Sequence, residues 1–110
     1  MLKYHSSGFW GTNLELLLRS NGIETVILSG CTTEGCVEST ARDALFNDHH
    51  VVVAGDCVAS DDPAQHDASL LLMRRRFDVV PAAKIAAAWG TAWQPPKTDG
   101  RDLEMDGAGR

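Results

Sequence analysis

The stretch "LSGCTTEGCVESTARDA", Leu28 to Ala44, runs from an apolar segment through a glycine and two threonines to a thiol at Cys36. From there Val37, Thr40, Ala41, Ala44 and Leu45 fall on one side at helical spacing, so the cysteine stands in the first turn of a helix. In that position the helix dipole and unpaired backbone N–H groups favour a thiolate, the form of sulfur that attacks carbonyl carbon. Position alone leaves a second reading open, because cysteine is also among the most frequently buried residues. A metal site is the weaker reading: four residues separate Cys31 from Cys36, rather than the two of most zinc knuckles, and Cys57 completes no second pair. His5 lies in a loop, His66 lies on a helix without a partner in sequence, and His49 and His50 lie in the polar turn "NDHH", where solvent exposure is expected.

The elements around this thiol alternate. "GTNLELLLRSNG" carries Thr12 with Glu15 three residues on, which reads as a capping box, and it closes at Gly22. "TVILSG", Thr25 to Gly30, is a continuous β-branched run of strand length, the pattern of a strand covered on both faces. "VVVAGD", Val51 to Asp56, is a second such strand. Asp62, Pro63 and Gln65 then take N-cap, N1 and N3 positions of a helix whose expected buried stripe is Ala64, Ala68, Leu71 and Leu72. "FDVV", Phe77 to Val80, is a short third strand, and "PAAKIAAAW" a final helix with Ala82, Ile85, Ala86 and Trp89 on one side. The arginines at 74 to 76 suit the negative end of the preceding helix dipole. Residues 94 to 110, polar and marked by proline and glycine, are read as a disordered tail after one domain at 1 to 93. Strands and helices in this alternation predict an α/β fold, a three-layer Rossmann-like parallel sheet with helices on both faces. Ligands in such sheets bind beyond the C-terminal ends of the strands, which is where "SGCTTEGC" lies.

The 110 residues suit one small domain, and 44% hydrophobic content suffices for a core. A net charge of −5 argues against a phosphate-tracking surface, so no nucleic-acid partner is expected. No apolar run approaches the roughly 20 residues of a bilayer span, and "MLKYHSSGFW" lacks the pattern of a signal peptide; no membrane partner and a cytoplasmic location are expected. Three cysteines cannot all pair within one chain, which agrees with free thiols.

Two patterns occur together: K-x-x-x-S-x-F-x-G-T from Lys3 to Thr12, and G-x-x-T-x-x-C-V-x-x-T-A-x-D-A from Gly30 to Ala44. With "VVVAGDCVAS" downstream, they resemble the isochorismatase-like cysteine hydrolases, which include N-carbamoylsarcosine amidase, ureidoacrylate amidohydrolase and nicotinamidase. The resemblance runs from Leu2 to about Trp89. It implies that Cys36 is the nucleophile and Lys3 the catalytic lysine. It also implies a cis peptide between Cys31 and Thr32 that directs the backbone N–H groups of Thr32 and Cys36 toward an oxyanion. Phe9 and Trp10 would correspond to the aromatic pair lining the pocket, with core packing the alternative for each, and Thr33 would lie at the substrate. Asp43 and Asp56 match recurrent positions assigned to structure.

The family's triad also contains an aspartate at the end of the first strand, well upstream of the lysine, and this sequence has no counterpart to it. The expectation is therefore the C-terminal part of the fold, with the N-terminal half missing, apolar sheet surface uncovered and a homo-oligomer as the assembly. The implied reaction is hydrolysis of a small carbamoyl, ureido or carboxamide C–N bond through a thioester, with neither cofactor nor metal, and with the isolated chain nearly inactive. The alternatives are a noncatalytic small-molecule binding or scaffold module and a thiol redox sensor using Cys31 and Cys36.

Overall fold

Parallel strands need long crossovers, and this chain supplies helices for them. In the computed structural model, which describes residues 2–90, the elements follow in the order α1 (Leu14–Ser20), β1 (Thr25–Cys31), a π-helical turn (Thr33–Val37), α2 (Glu38–Phe46), β2 (His50–Ala59), α3 (Pro63–Met73), β3 (Asp78–Val80) and α4 (Ala82–Ala88). The expected tail and the end of the domain at 93 lie outside the described residues. The three strands form one parallel sheet in the order β1-β2-β3.

Alternation along the strands separates two faces. Val26 and Leu28 of β1, Val51 and Val53 of β2, and Val79 of β3 point to the face that holds the core, with Phe9, Val37, Ala41, Ala44, Leu70 and Met73. Helices α1, α2 and α3 contribute to that side. Helix α4 lies on the opposite face, where Ile27, Val52, Val80, Ile85, Ala88 and Trp89 line an open trough of about 390 Å³. Helices thus lie on both faces of a parallel sheet, as the alternation of elements predicts.

β1 departs from expectation. Its trough side is uncovered, with Ile27 38% exposed, because β1 is the edge of the described sheet and α4 does not reach across it. β2, with a neighbour on each side, buries Val51, Val53, Ala54 and Val58. Its register against β1 jumps between Leu28↔Val53 and Gly30↔Val58, so β2 bulges through Gly55, Asp56 and Cys57. A Cβ on Gly55 would stand 2.9 Å from Val79 Cγ1, so only glycine fits without movement.

Two local expectations are also corrected. Thr12 Oγ1 accepts the Leu14 N–H at 3.2 Å, but Glu15 does not turn back to close a capping box. Its carboxylate pairs with Arg19 and, at 2.8 Å, with His49 Nε2. His49 is consequently 4% exposed rather than solvated, because a carboxylate on α1 gives its ring a buried partner. His50 is the exposed one of the two, pairing with Asp78 at 2.9 Å. On α3 the buried residues are Ser69, Leu70 and Met73, whereas Leu71 and Leu72 are exposed and Ala64 and Ala68 lie outside the core. Polar partners on the π-helical turn draw the serine side of α3 inward.

The helix ends follow their sequence signals more closely. Asp62 Oδ1 accepts from the N–H groups of Ala64 and Gln65, with Pro63 at N1. Gly22, at φ +68°, closes α1: Ile23 N–H donates to the Leu18 carbonyl at 2.9 Å and Gly22 N–H to that of Arg19 at 3.1 Å, the Schellman pattern. Asp56 Oδ1, reaching from the β2 bulge, accepts the Ala82 N–H at 2.8 Å and caps α4, which has no side-chain cap of its own. That bond leads the effects that hold the Asp56 carboxyl below its usual range.

Candidate active site

At the C-terminal end of β1 the chain reaches Gly30 at φ +112°, then the Cys31–Thr32 peptide bond, which is cis. The π-helical turn begins one residue later. The Thr32 carbonyl accepts both the Gly35 N–H, at 3.1 Å, and the Val37 N–H, at 3.2 Å; the second bond spans five residues and makes the turn wider than an α-helix. Thr32 stands at the N-cap but makes no side-chain cap bond. Cys36 is the fourth residue of the turn, half-buried, with a free thiol.

Lys3 meets this thiol from the other end of the sequence. Its Nζ lies 4.0 Å from Cys36 Sγ and donates to the His5 carbonyl at 2.5 Å. The segment that carries Lys3 is fastened to α2: Gly8 N–H donates to Thr40 Oγ1 at 2.9 Å, one helical turn beyond Cys36. A cation placed beside a sulfur stabilises negative charge on it, so the pair is suited to nucleophilic attack.

The other residues marked by the sequence are distributed around this pair. Trp10 is 67% exposed and stands edge-on to His5, with ring centroids 6.3 Å apart. Phe9 instead joins the core, 6.1 Å from the His49 ring, which is the packing alternative for that residue. Thr33, expected at the substrate, is fully buried, and its Oγ1 is 2.8 Å from His66 Nδ1. It supports the turn from below. Cys31 and Cys57 are exposed and free. Desolvation and the neighbouring Asp56 carboxylate push the Cys57 thiol up, away from the thiolate form. Among the described residues no group of three His, Cys, Asp or Glu side chains is placed to hold a metal ion.

Residues 60 to 69 form a support that sequence reasoning missed. Ser60 Oγ donates to Glu34 Oε2 at 2.9 Å, and Ser69 Oγ donates to Glu38 Oε1 at 2.5 Å. Glu34 Oε2 and Glu38 Oε1 are thus each partnered by a serine, while Glu34 Oε1 is buried without a partner. The sequence signal was slight: Ser60 before the helix, and His66 and Ser69 within it.

The isochorismatase domain model matches residues 1–84, which include both halves of the lysine and cysteine pair. The chain belongs to the isochorismatase family. This isochorismatase-family chain is 35% identical over 79 residues to maleamate amidohydrolase of Pseudomonas putida, covering 71% of its own length and 37% of that relative. It superposes on an isochorismatase-like hydrolase from Alkaliphilus metalliredigens with a TM-score of 0.77 and 38% identity, over 79% of this chain and 48% of the other. The nicotinamidase PncA of Bacillus subtilis gives a TM-score of 0.70 at 35% identity, over 73% and 45% of the two chains. The chain thus spans between about a third and a half of the length of these relatives. Among the described residues no helix is long and apolar enough to cross a membrane.

Proposed function

We propose that this chain carries the nucleophilic and oxyanion-stabilising part of a cysteine amidohydrolase acting on a small carbamoyl, ureido or carboxamide compound. The observation that carries the reading is Lys3 Nζ standing 4.0 Å from Cys36 Sγ at the C-terminal end of the sheet. The Cys36 thiolate adds to the amide carbonyl, and the resulting oxyanion is met by the Lys3 ammonium and by backbone N–H groups of Thr32 and Cys36. The C–N bond then breaks, the nitrogen takes up the proton first removed from the thiol and leaves as ammonia, and a thioester remains. Water cleaves the thioester, releasing the carboxylic acid and restoring the thiol. Trp10, exposed and edge-on to His5, supplies an aromatic wall for the substrate.

The proton carrier in this scheme is the aspartate implied by the resemblance, which this sequence does not contain. Of the carboxylates nearest the thiol in sequence, Glu38 is taken up by Ser69 and Arg42, and Glu34 accepts from Ser60 through Oε2 only, its Oε1 being buried without a partner. General acid–base assistance is worth about 10²- to 10⁴-fold, so the 110-residue chain alone turns over near background. The test is ammonia release from maleamate, a ureido compound and nicotinamide, with the chain as given and with an N-terminal segment containing such an aspartate fused ahead of it. The added segment is expected to raise turnover, and Cys36→Ser in the fused chain to abolish it. Ordinary enzymatic turnover by the short chain, lost in Cys36→Ser, would refute the need for the aspartate; full activity of Cys36→Ser would refute the nucleophile.

A further inference from the structure

The π-helical turn has no side-chain cap of its own, yet it must hold a thiol opposite a lysine that comes from 33 residues away. Its pitch is set from outside. Ser60 holds Glu34, His66 holds Thr33, and Ser69 holds Glu38 while also lying 3.4 Å from the Thr33 carbonyl. Thr33 and Ser69 are buried at 0% and 3% exposure, so their bonds are shielded from competing water. Of these contacts, the one between Thr33 and His66 is the only one to the side chain of the turn's first residue, whose rotation bears on where Cys36 points three residues later.

We propose that His66 is a positioning residue for Cys36, acting through its Nδ1 bond to Thr33; this rests on reading Cys36 as the nucleophile. With the imidazole proton on Nε2, Nδ1 accepts the Thr33 hydroxyl proton. His66 also lines an open cleft with Val58, Ala59, Ser60 and Pro63. Removing Nδ1 strands a buried hydroxyl and frees the turn to rotate, and displacement of a reacting atom by about an ångström is enough to lower a rate substantially. Asparagine can place a polar atom where Nδ1 stands, whereas leucine fills the volume without one.

The test uses the full chain with Cys31 and Cys57 changed to serine, so that alkylation by iodoacetamide reports Cys36 alone. His66→Leu and Thr33→Val are each expected to slow alkylation at neutral pH by up to about fivefold, the size of a lost aqueous ion contact at this distance. His66→Asn and Thr33→Ser are expected to return to within about twofold of the parent rate on the same scale. In a Lys3→Met background His66→Leu is expected to have no further effect, because the contact it disturbs is already gone. Thermal midpoints are recorded for every variant. Parent-like alkylation of folded His66→Leu and Thr33→Val would overturn the proposal. So would slowing in His66→Asn equal to that in His66→Leu, or slowing that persists undiminished in the Lys3→Met background, since either marks a general loosening. Because no amide is used, failure of the hydrolase reading would appear separately, as ammonia release by the aspartate-bearing fused chain that survives Cys36→Ser.

Discussion

Replacing Lys3 with methionine removes a charge while keeping most of the side chain's length and apolar body. Its effect on Cys36 follows from one distance, 4.0 Å between Nζ and Sγ. Two unit charges at that separation interact by about 1 kcal/mol in bulk water and about 4 kcal/mol at an effective dielectric near 20. Lys3 is exposed and Cys36 half-buried, so the aqueous end of the range governs. About 1 kcal/mol is a factor of roughly five in thiolate stability, so alkylation by a neutral reagent should slow by up to about fivefold, less where the unpaired sulfur is the stronger nucleophile. Salt supplies an internal control, because screening lengths fall from about 30 Å at about 0.01 M to about 3 Å at about 1 M ionic strength. The parent should slow as salt rises, and Lys3→Met should show a flat profile. Lys3→Arg should behave like the parent. Equal rates for parent and Lys3→Met at low salt, or identical salt profiles, would refute the electrostatic coupling on which the site rests.

Three further outcomes follow from the packing. Desolvation raises the Glu15 carboxyl, but hydrogen bonds and charge from His49 and Arg19 outweigh it and leave its net value below the ordinary 4.5. That stability is present above about pH 4.5 and is lost as pH falls through the lowered native value. Acid unfolding followed by circular dichroism should therefore be less steep in Glu15→Gln, and an unchanged acid limb would remove the ion pair from the account. Gly55→Ala drives a Cβ to within 2.9 Å of Val79 and should cost about 1 to 3 kcal/mol in urea unfolding; a neutral result would mean that the bulge relaxes freely. The apolar trough beside Ile27, Val52 and Trp89, together with exposed Leu71, Leu72 and Phe46, is expected to drive self-association, and light scattering showing a monomer at micromolar concentration would count against it.

The order of elements was legible because it rests on short-range pattern: β-branched runs at 25 to 30 and 51 to 56, the Asp-Pro cap at 62 and 63, and glycine at 22. Cys36 at the start of a helical segment was legible for the same reason. What escaped was every feature set by partners some thirty residues distant. Helical spacing of apolar residues put Leu71 and Leu72 in the buried stripe, yet Glu38 and Thr33 supply the acceptors that draw Ser69 inward. His49 looked solvated within "NDHH" because Glu15, its partner, is 34 residues away. The width of the π-helical turn has no local signature, and the approach of Lys3 to Cys36 was legible only through the family resemblance.

The support beneath the reactive turn also has an order in time. Glu34 and Ser60 are separated by 26 residues, Glu38 and Ser69 by 31, and Thr33 and His66 by 33. Synthesis at about 5 to 20 residues per second leaves the thiol-bearing turn on the ribosome for roughly one to seven seconds before those partners exist. Lys3, β1 and Cys36 are all made by then, but the docking of α3 that fixes their geometry is nonlocal and comes late. The geometry around Cys36 is thus completed only when most of the sheet has been made, and a nascent chain stalled before residue 60 carries the thiol without the frame that positions it.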